Sequence, residues 1–245
     1  MSRKSQRNQP AAPRTVPNPP PAALAAAPGQ GGQASRRGLL IAAGAAVVAA
    51  AGAGGYFAFG GRSAPATRPE LLSADAPTMG PATAKVHIVE FLDPACETCA
   101  VFYPLVKRIV ADNPDKIRLS VRHVPFHRGS EDVVRMLEAS RKQDRYWPAL
   151  EALLASQNFW APNHTAQPAL ALQAISGVDV GLDLVRLAAD MREPEVDRRI
   201  AQDGRDAAAL QVTKTPEYFV NGRQMASFGR QQLQALINDA LQRAY

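Results

Sequence analysis

The two cysteines of this 245-residue chain are the residues with the clearest chemical potential. Cys96 and Cys99 flank Glu97 and Thr98, directly after an apolar run and at the start of a stretch with helical spacing. Unpaired N–H groups and the dipole at a helix start stabilise an anion. The pattern predicts a lowered pKa for the first thiol, which favours attack on disulfides. We therefore assign Cys96 as the nucleophile and Cys99 as the thiol that resolves the mixed disulfide.

Two other roles for the cysteine pair are open at this point. A structural disulfide across two intervening residues closes a very short loop, so it adds little stability. A zinc or copper site would have to recruit two of the four histidines, His87, His123, His127 and His164. Haem attachment would need histidine at position 100, which is Ala100. We expect no metal and no cofactor besides a redox-active Cys96–Cys99 disulfide.

The segments around the cysteines predict the order strand, helix, strand. Lys85–Leu92 is an apolar, β-branched run typical of a buried strand, and Cys96–Ala111 has helical spacing. Pro104 lies inside that helix and should bend it. Ile117–Val124 alternates apolar and polar residues, which predicts a second strand. This order favours parallel pairing of the two strands.

Helical patterning dominates residues 130–210, from a first helix start at Ser130. Further predicted helices lie near residues 145–156, 166–176, 181–191 and 194–210. A small α/β sheet does not accommodate so many consecutive helices, so we predict an inserted helical domain. After Thr215-Pro216, an Asn221-Gly222 pair between short apolar runs predicts a β-hairpin, and a final helix follows over Gln231–Leu241.

The basic excess of the chain precedes residue 61. The net charge is +6, and six Lys and Arg residues but no Asp or Glu precede residue 61, which leaves 28 − 6 = 22 basic against 22 acidic residues. A neutral remainder argues against nucleic-acid binding. The positive charges instead precede an uncharged run at residues 38–60, as the positive-inside rule predicts for a membrane segment.

Three interpretations of residues 38–60 are open: an uncleaved signal anchor, a signal peptide cleaved near Ala64-Pro65-Ala66, and a twin-arginine signal that includes Arg36-Arg37. All three place the remainder outside the cytoplasm. We predict a disordered cytoplasmic tail (1–37), one transmembrane or signal helix (38–60) and a linker (61–81). The expected location is anchorage in the inner membrane, with the C-terminal domain in the periplasm or at the cell exterior.

Three stretches of the sequence resemble DsbA-like proteins of the thioredoxin superfamily. They are the run to the second cysteine (Val89–Cys99), the segment around Thr215-Pro216 (Val212–Gly222), and Tyr146–Leu150. The resemblance implies an α/β thioredoxin fold with an inserted helical domain. The thioredoxin part would comprise residues 82–129 and 211–245, and the insertion residues 130–210.

The resemblance also implies roles for three further residues. Pro216 is expected to be cis and packed against the cysteines, which leaves the backbone of Thr215 free to pair with a substrate. Glu90 is the expected buried acid that relays a proton for Cys99. Glu97-Thr98 departs from the Pro-His pair of the better-known oxidants. Because the Glu97 charge opposes a thiolate, we expect a milder oxidant and a less depressed Cys96 pKa.

These features predict an extracytoplasmic thiol–disulfide oxidoreductase that forms or reduces disulfides in exported proteins. Its partners would be exported protein thiols or disulfides and a membrane redox protein. The direction of electron transfer is left open by the sequence. The alternative is a non-catalytic thioredoxin-like module that binds a partner or holds a metal at the outer face of the membrane.

Overall fold

A five-stranded mixed sheet organises residues 68–245, which are the residues that the computed structural model describes. Its spatial order is β1-β3-β2-β4-β5. The strands are β1 (Thr78–Met79), β2 (Val86–Leu92), β3 (Ile117–His123), β4 (Glu217–Val220) and β5 (Arg223–Gln224). The sheet and the helices around it confirm the predicted α/β class.

The helices follow the predicted distribution along the chain. Helix α1 (Glu97–Ala111) joins β2 to β3 and continues through Pro104. Six helices lie between β3 and β4: α2 (Ser130–Ser140), α3 (Tyr146–Ala155), α4 (Gln157–Trp160), α5 (Pro168–Ser176), α6 (Leu184–Asp190) and α7 (Pro194–Ala209). Helix α8 (Arg230–Ala244) follows the hairpin. Short 3-10 turns occur at Pro69–Leu71, Arg141–Gln143 and Pro162–His164.

The predicted tail (1–37) and membrane or signal helix (38–60) lie outside the described residues, as does the linker up to residue 67. Within residues 68–245, every helix is too short or too polar to cross a bilayer.

The predicted linker over 61–81 is wrong at its C-terminal end. Thr78–Met79 forms β1, which pairs antiparallel with Ser120 and Leu119 of β3. Leu71, the last residue of the turn that begins at Pro69, is buried in the core. A two-residue strand is too short to show the alternation that identifies strands in a sequence, which explains the error.

Strands β2 and β3 pair in parallel along their whole length, as predicted. Both are buried on both faces, although the alternation in β3 predicts one exposed face. Side chains of α1 and α8 cover one face of the sheet, and Leu71 and the C-terminal end of α7 pack on the other. A strand covered in this way ends inside the fold, so the residues that follow β2 are also buried.

The second face of β3 includes a buried cation. Arg122 is fully buried, and its Nε and Nη2 atoms each lie 2.5 Å from a carboxylate oxygen, of Asp203 and Asp206 respectively. Its Nη1 donates to the Glu70 carbonyl at 2.8 Å, and its guanidinium lies 5.6 Å from the centre of the Phe91 ring. This network joins β3 to α7 and to the first described turn.

The predicted hairpin is present, with Asn221 and Gly222 at its tip. Their φ angles are 45° and 80°, which is the left-handed combination that a type I′ turn requires. The Asn221 side chain accepts from the His87 amide at 2.8 Å and donates to the Lys85 carbonyl at 3.0 Å. These contacts hold the hairpin to the start of β2 and fix the register of β4 beside it.

Candidate active site

Both cysteines lie at the start of α1, beyond the C-terminal end of β2. Cys96 occupies the N-cap position with extended backbone angles, and Cys99 lies in the first turn. The Cys96 residue is 4% exposed and Cys99 is 0% exposed. The two thiols are not bridged in this structure.

The environment separates the acidities of the two thiols. A hydrogen bond from the Cys99 thiol, aided by Thr215 and by the amides of Cys99 and Thr98, lowers the pKa of Cys96 to about 5 against the effect of burial. Burial, together with the hydrogen bond to Cys96, raises the pKa of Cys99 well above its usual range. The helix-start amides act as predicted, but the second thiol has the larger effect.

Glu97 lies at the surface beside the cysteine turn. Its side chain is half exposed, and its Oε2 lies 3.9 Å from Nε2 of His164. The exposure of this carboxylate weakens the effect of its charge on the buried sulfur. The pKa of Cys96 still falls to about 5, and a milder oxidant than the Pro-His type stays a prediction.

The Thr215–Pro216 peptide bond is cis, as predicted. The Cys96 thiol donates to the Thr215 carbonyl oxygen at 3.3 Å across 119 residues of sequence. The Thr215 hydroxyl is buried beside this sulfur and has no partner among the described residues while Cys96 is a thiol, so it is the group of Thr215 that stabilises the Cys96 thiolate. The structure thus brings together the two segments that sequence analysis assigned to the site.

Glu90 is fully buried in β2. The Tyr218 hydroxyl donates to its Oε1 at 2.9 Å. Burial raises the pKa of Glu90 to about 8, and the Tyr218 hydrogen bond acts in the opposite direction. Glu90 also contributes to the raised pKa of Cys99, so the acid lies within electrostatic reach of that thiol.

Asp93 is a buried residue of the site to which the sequence analysis assigned no role. Its carboxylate accepts from the Ala95 amide at 2.9 Å, the His127 amide at 2.8 Å and the Ser130 hydroxyl. The His127 Nδ1 atom lies 2.7 Å from the same carboxylate. Asp93 therefore holds the turn before Cys96 against the start of α2.

Gln157 of α4 is a second supporting residue that the sequence did not reveal. Its buried amide donates to the carbonyl oxygens of Pro94 at 2.7 Å and Cys96 at 2.9 Å. Nothing in the local pattern distinguishes this glutamine from a surface residue. The contact shows that the helical region supports the cysteine turn directly.

Of the four histidines that a metal site would recruit, two lie apart from the others and two lie together. His87 contacts Ser120, His123 contacts Tyr146, and the His127 ring stacks on that of His164 with centroids 4.8 Å apart. Among residues 68–245, no three Cys, His, Asp or Glu side chains converge as a metal ion would require.

A mixed sheet, a C-x-x-C helix start and a facing cis proline define a thioredoxin-type oxidoreductase fold. The family model described as Thioredoxin matches residues 73–239, so the chain belongs to the thioredoxin family. Two of the solved structures that are similar to it illustrate the relationship. One is a thioredoxin-like oxidoreductase from Silicibacter pomeroyi DSS-3, at 30% identity, 72% coverage of this chain, 99% coverage of that chain and a TM-score of 0.62.

The other is alpha-DsbA1 of Wolbachia pipientis, at 17% identity, 71% coverage of this chain, 94% coverage of that chain and a TM-score of 0.60, a likeness of fold alone. A curated relative, the Na(+)/H(+) antiporter NhaA of Herminiimonas arsenicoxydans, is 31% identical over 60% of this chain. The chain spans about a fifth of that relative's length, since the match covers 22% of it.

The different acidities of the two thiols lead to a prediction for alkylation. When the reduced protein is treated with iodoacetamide over a range of pH, Cys96 modification should be half-maximal near pH 5, because its pKa is about 5. Cys99 should stay unmodified at neutral pH, since it is buried and protonated. Peptide mapping by mass spectrometry separates the two sites. A Cys96 midpoint near 8.5, the value of a free thiol, would contradict the assignment.

Proposed function

We propose that this chain is an extracytoplasmic thiol–disulfide oxidoreductase that acts on exported proteins through Cys96 and Cys99. The observation that carries the proposal is the placement of the Cys96 sulfur, 3.3 Å from the Thr215 carbonyl and in front of a cis proline. A thiolate there is nucleophilic at neutral pH. The backbone of Thr215 offers an extended substrate segment a strand-like partner beside that sulfur.

In the oxidising direction, a substrate thiolate attacks Cys96 of the Cys96–Cys99 disulfide. Cys99 leaves as a thiolate and takes a proton from the Glu90 carboxylic acid, so a mixed disulfide with Cys96 remains. A second substrate thiolate attacks the substrate sulfur of that bond and releases Cys96 as a thiolate. The substrate gains one disulfide, and the two electrons remain on the cysteine pair.

The Cys96 acidity favours this oxidising direction. At pH 7, a nucleophile with a pKa of about 5 rather than 7 stabilises the reduced pair by about 2 kcal/mol, or about 50 mV. We therefore propose that the domain withdraws electrons from exported thiols and passes them to a quinone-linked membrane redox protein. The predicted segment at residues 38–60 would keep the domain at the outer face of the inner membrane.

The reduction potential of the pair tests the proposal. In a glutathione series we expect a value at or above about −220 mV, about 50 mV more oxidising than thioredoxin at about −270 mV. The oxidised protein should also introduce a disulfide into a dithiol peptide stoichiometrically. A potential at or below that of thioredoxin would contradict the oxidising direction. Stoichiometric zinc binding that blocks alkylation, without exchange, would instead favour the metal-holding alternative.

A further inference from the structure

The hydrogen bond that Glu90 accepts leaves one of its two carboxylate oxygens free. Tyr218 donates to Oε1 at 2.9 Å, whereas Oε2 is buried and has no hydrogen-bond partner among residues 68–245. Both residues are 0% exposed. A buried carboxylate oxygen without a donor is rare in folded proteins. The arrangement calls for a transient donor, and the Cys99 thiol is a buried donor within electrostatic reach of Glu90.

The position of the Tyr218 hydroxyl is fixed by the sheet. Glu90 and Tyr218 are directly opposite residues of the antiparallel β2–β4 pair, so their side chains lie on the same face. Tyr218 is also only two residues beyond Pro216. Its ring centre lies 6.3 Å from that of Phe102, which belongs to the helix that contains Cys99.

We propose that Tyr218 is a positioning residue for thiol–disulfide exchange, which holds Oε1 of Glu90 so that Oε2 exchanges a proton with Cys99. The inference rests on the proposed function and adds to it a residue that orients the acid. The hydroxyl of Tyr218 stays protonated throughout, because burial raises its pKa well above the usual range. Tyr218 therefore acts by donating one hydrogen bond and transfers no proton itself.

The proton movement is balanced in both directions. When Cys99 attacks a mixed disulfide, its proton passes to Oε2, its sulfur bonds to the Cys96 sulfur, and the partner sulfur leaves with the bonding electron pair. When Cys99 is the leaving group, the proton returns from Oε2 to its sulfur. In each state the Tyr218 hydroxyl favours the carboxylate form of Glu90, since a donor stabilises the charged acceptor.

The proposal predicts the effect of removing one oxygen atom. Tyr218→Phe keeps the ring and removes the donor, so burial of Glu90 goes unopposed and its pKa rises further. Fewer protein molecules then hold a Glu90 carboxylate at pH 7. The resolving step by Cys99 should slow, whereas attack by Cys96 should not.

One reaction measures both steps. The reduced protein is mixed with one equivalent of dithiobis(nitrobenzoate), an aromatic disulfide. Cys96 attack releases the first coloured thiolate, and Cys99 attack on the resulting mixed disulfide releases the second. For Tyr218→Phe we expect a first phase within about twofold of wild type at pH 7. The second phase should be about tenfold slower, with its pH midpoint raised by about one unit.

Two further variants make the result specific. Glu90→Gln should remove the pH midpoint of the second phase, and adding Tyr218→Phe to it should change nothing more. Tyr146→Phe is the matched control, because it removes a buried hydroxyl that hydrogen-bonds to His123 at 2.9 Å rather than to Glu90. Its second phase should match wild type.

An unshifted midpoint in Tyr218→Phe would overturn the inference, as would further slowing when it is combined with Glu90→Gln. Thermal unfolding of each variant separates loss of fold from loss of the hydrogen bond. If the wild-type protein shows no second phase at all, the proposed exchange chemistry fails, which is a result distinct from a failure of Tyr218 alone.

Discussion

Replacing Cys99 with serine is expected to arrest the reaction at the mixed disulfide and to reduce turnover to background. Cys96 keeps its position at the helix start and in front of Thr215, so it still attacks a disulfide. The serine hydroxyl cannot displace the partner sulfur, since its oxygen is far less nucleophilic than a thiolate. Substrates should therefore accumulate covalently on Cys96. Non-reducing electrophoresis and mass spectrometry of a mixture with a disulfide-containing peptide measure the adduct.

Cys96→Ser is the matched control for the trapping experiment. Its remaining thiol is buried and has a raised pKa, so it should form no adduct at neutral pH. Efficient trapping through Cys99 in this variant would reverse the two assigned roles. The absence of any adduct in Cys99→Ser, together with no exchange by the wild-type protein, would disprove the oxidoreductase proposal.

Replacing Arg122 with leucine is expected to have the largest effect on stability, a loss of about 3 kcal/mol. Leucine keeps apolar volume over Phe91 but leaves two carboxylates, Asp203 and Asp206, close together without their cation. The carbonyl of Glu70 also loses its donor. Urea unfolding of the reduced protein measures the change in the free energy of unfolding.

Arg223→Leu is a suitable comparison, because the Arg223 side chain is 51% exposed where it pairs with Asp239. An exposed ion pair of this kind should contribute less than about 1 kcal/mol. Adding Asp206→Asn to Arg122→Leu should recover part of the lost stability, since it removes one unpaired charge. Equal losses for the two arginine variants would contradict the special role of the buried network.

The order and type of the main elements could be predicted because their signals are local. The apolar, β-branched side chains of Lys85–Leu92 identify a buried strand. The turn preference of Asn221-Gly222 identifies the hairpin. The juxtaposition of Cys96 with Thr215 was predicted through the family resemblance, and the 3.3 Å contact agrees with it. The catalytic roles of these residues stay predictions.

What the sequence did not reveal depends on tertiary contacts. Arg122 is typical of an exposed strand position, and its burial depends on the carboxylates of α7 and the carbonyl of Glu70, which only the fold brings to it. The pairing of Tyr218 with Glu90 depends on the register of β4 against β2, which the sequence does not specify. The Cys96 pKa depends on Thr215 as well as on the adjacent thiol and amides, and only the fold brings Thr215 to this sulfur.

The contact between Gln157 and the carbonyl groups of Pro94 and Cys96 has a consequence for protein engineering. Transplanting the C-x-x-C turn into another scaffold transfers the thiols without the Gln157 side-chain amide that hydrogen-bonds to their backbone. Deleting the helical region to obtain a minimal thioredoxin would remove the same hydrogen bonds. The helical region that contains Gln157 is therefore a structural part of the reactive centre. Chimeras of this protein need to exchange the helical region and the cysteine turn together.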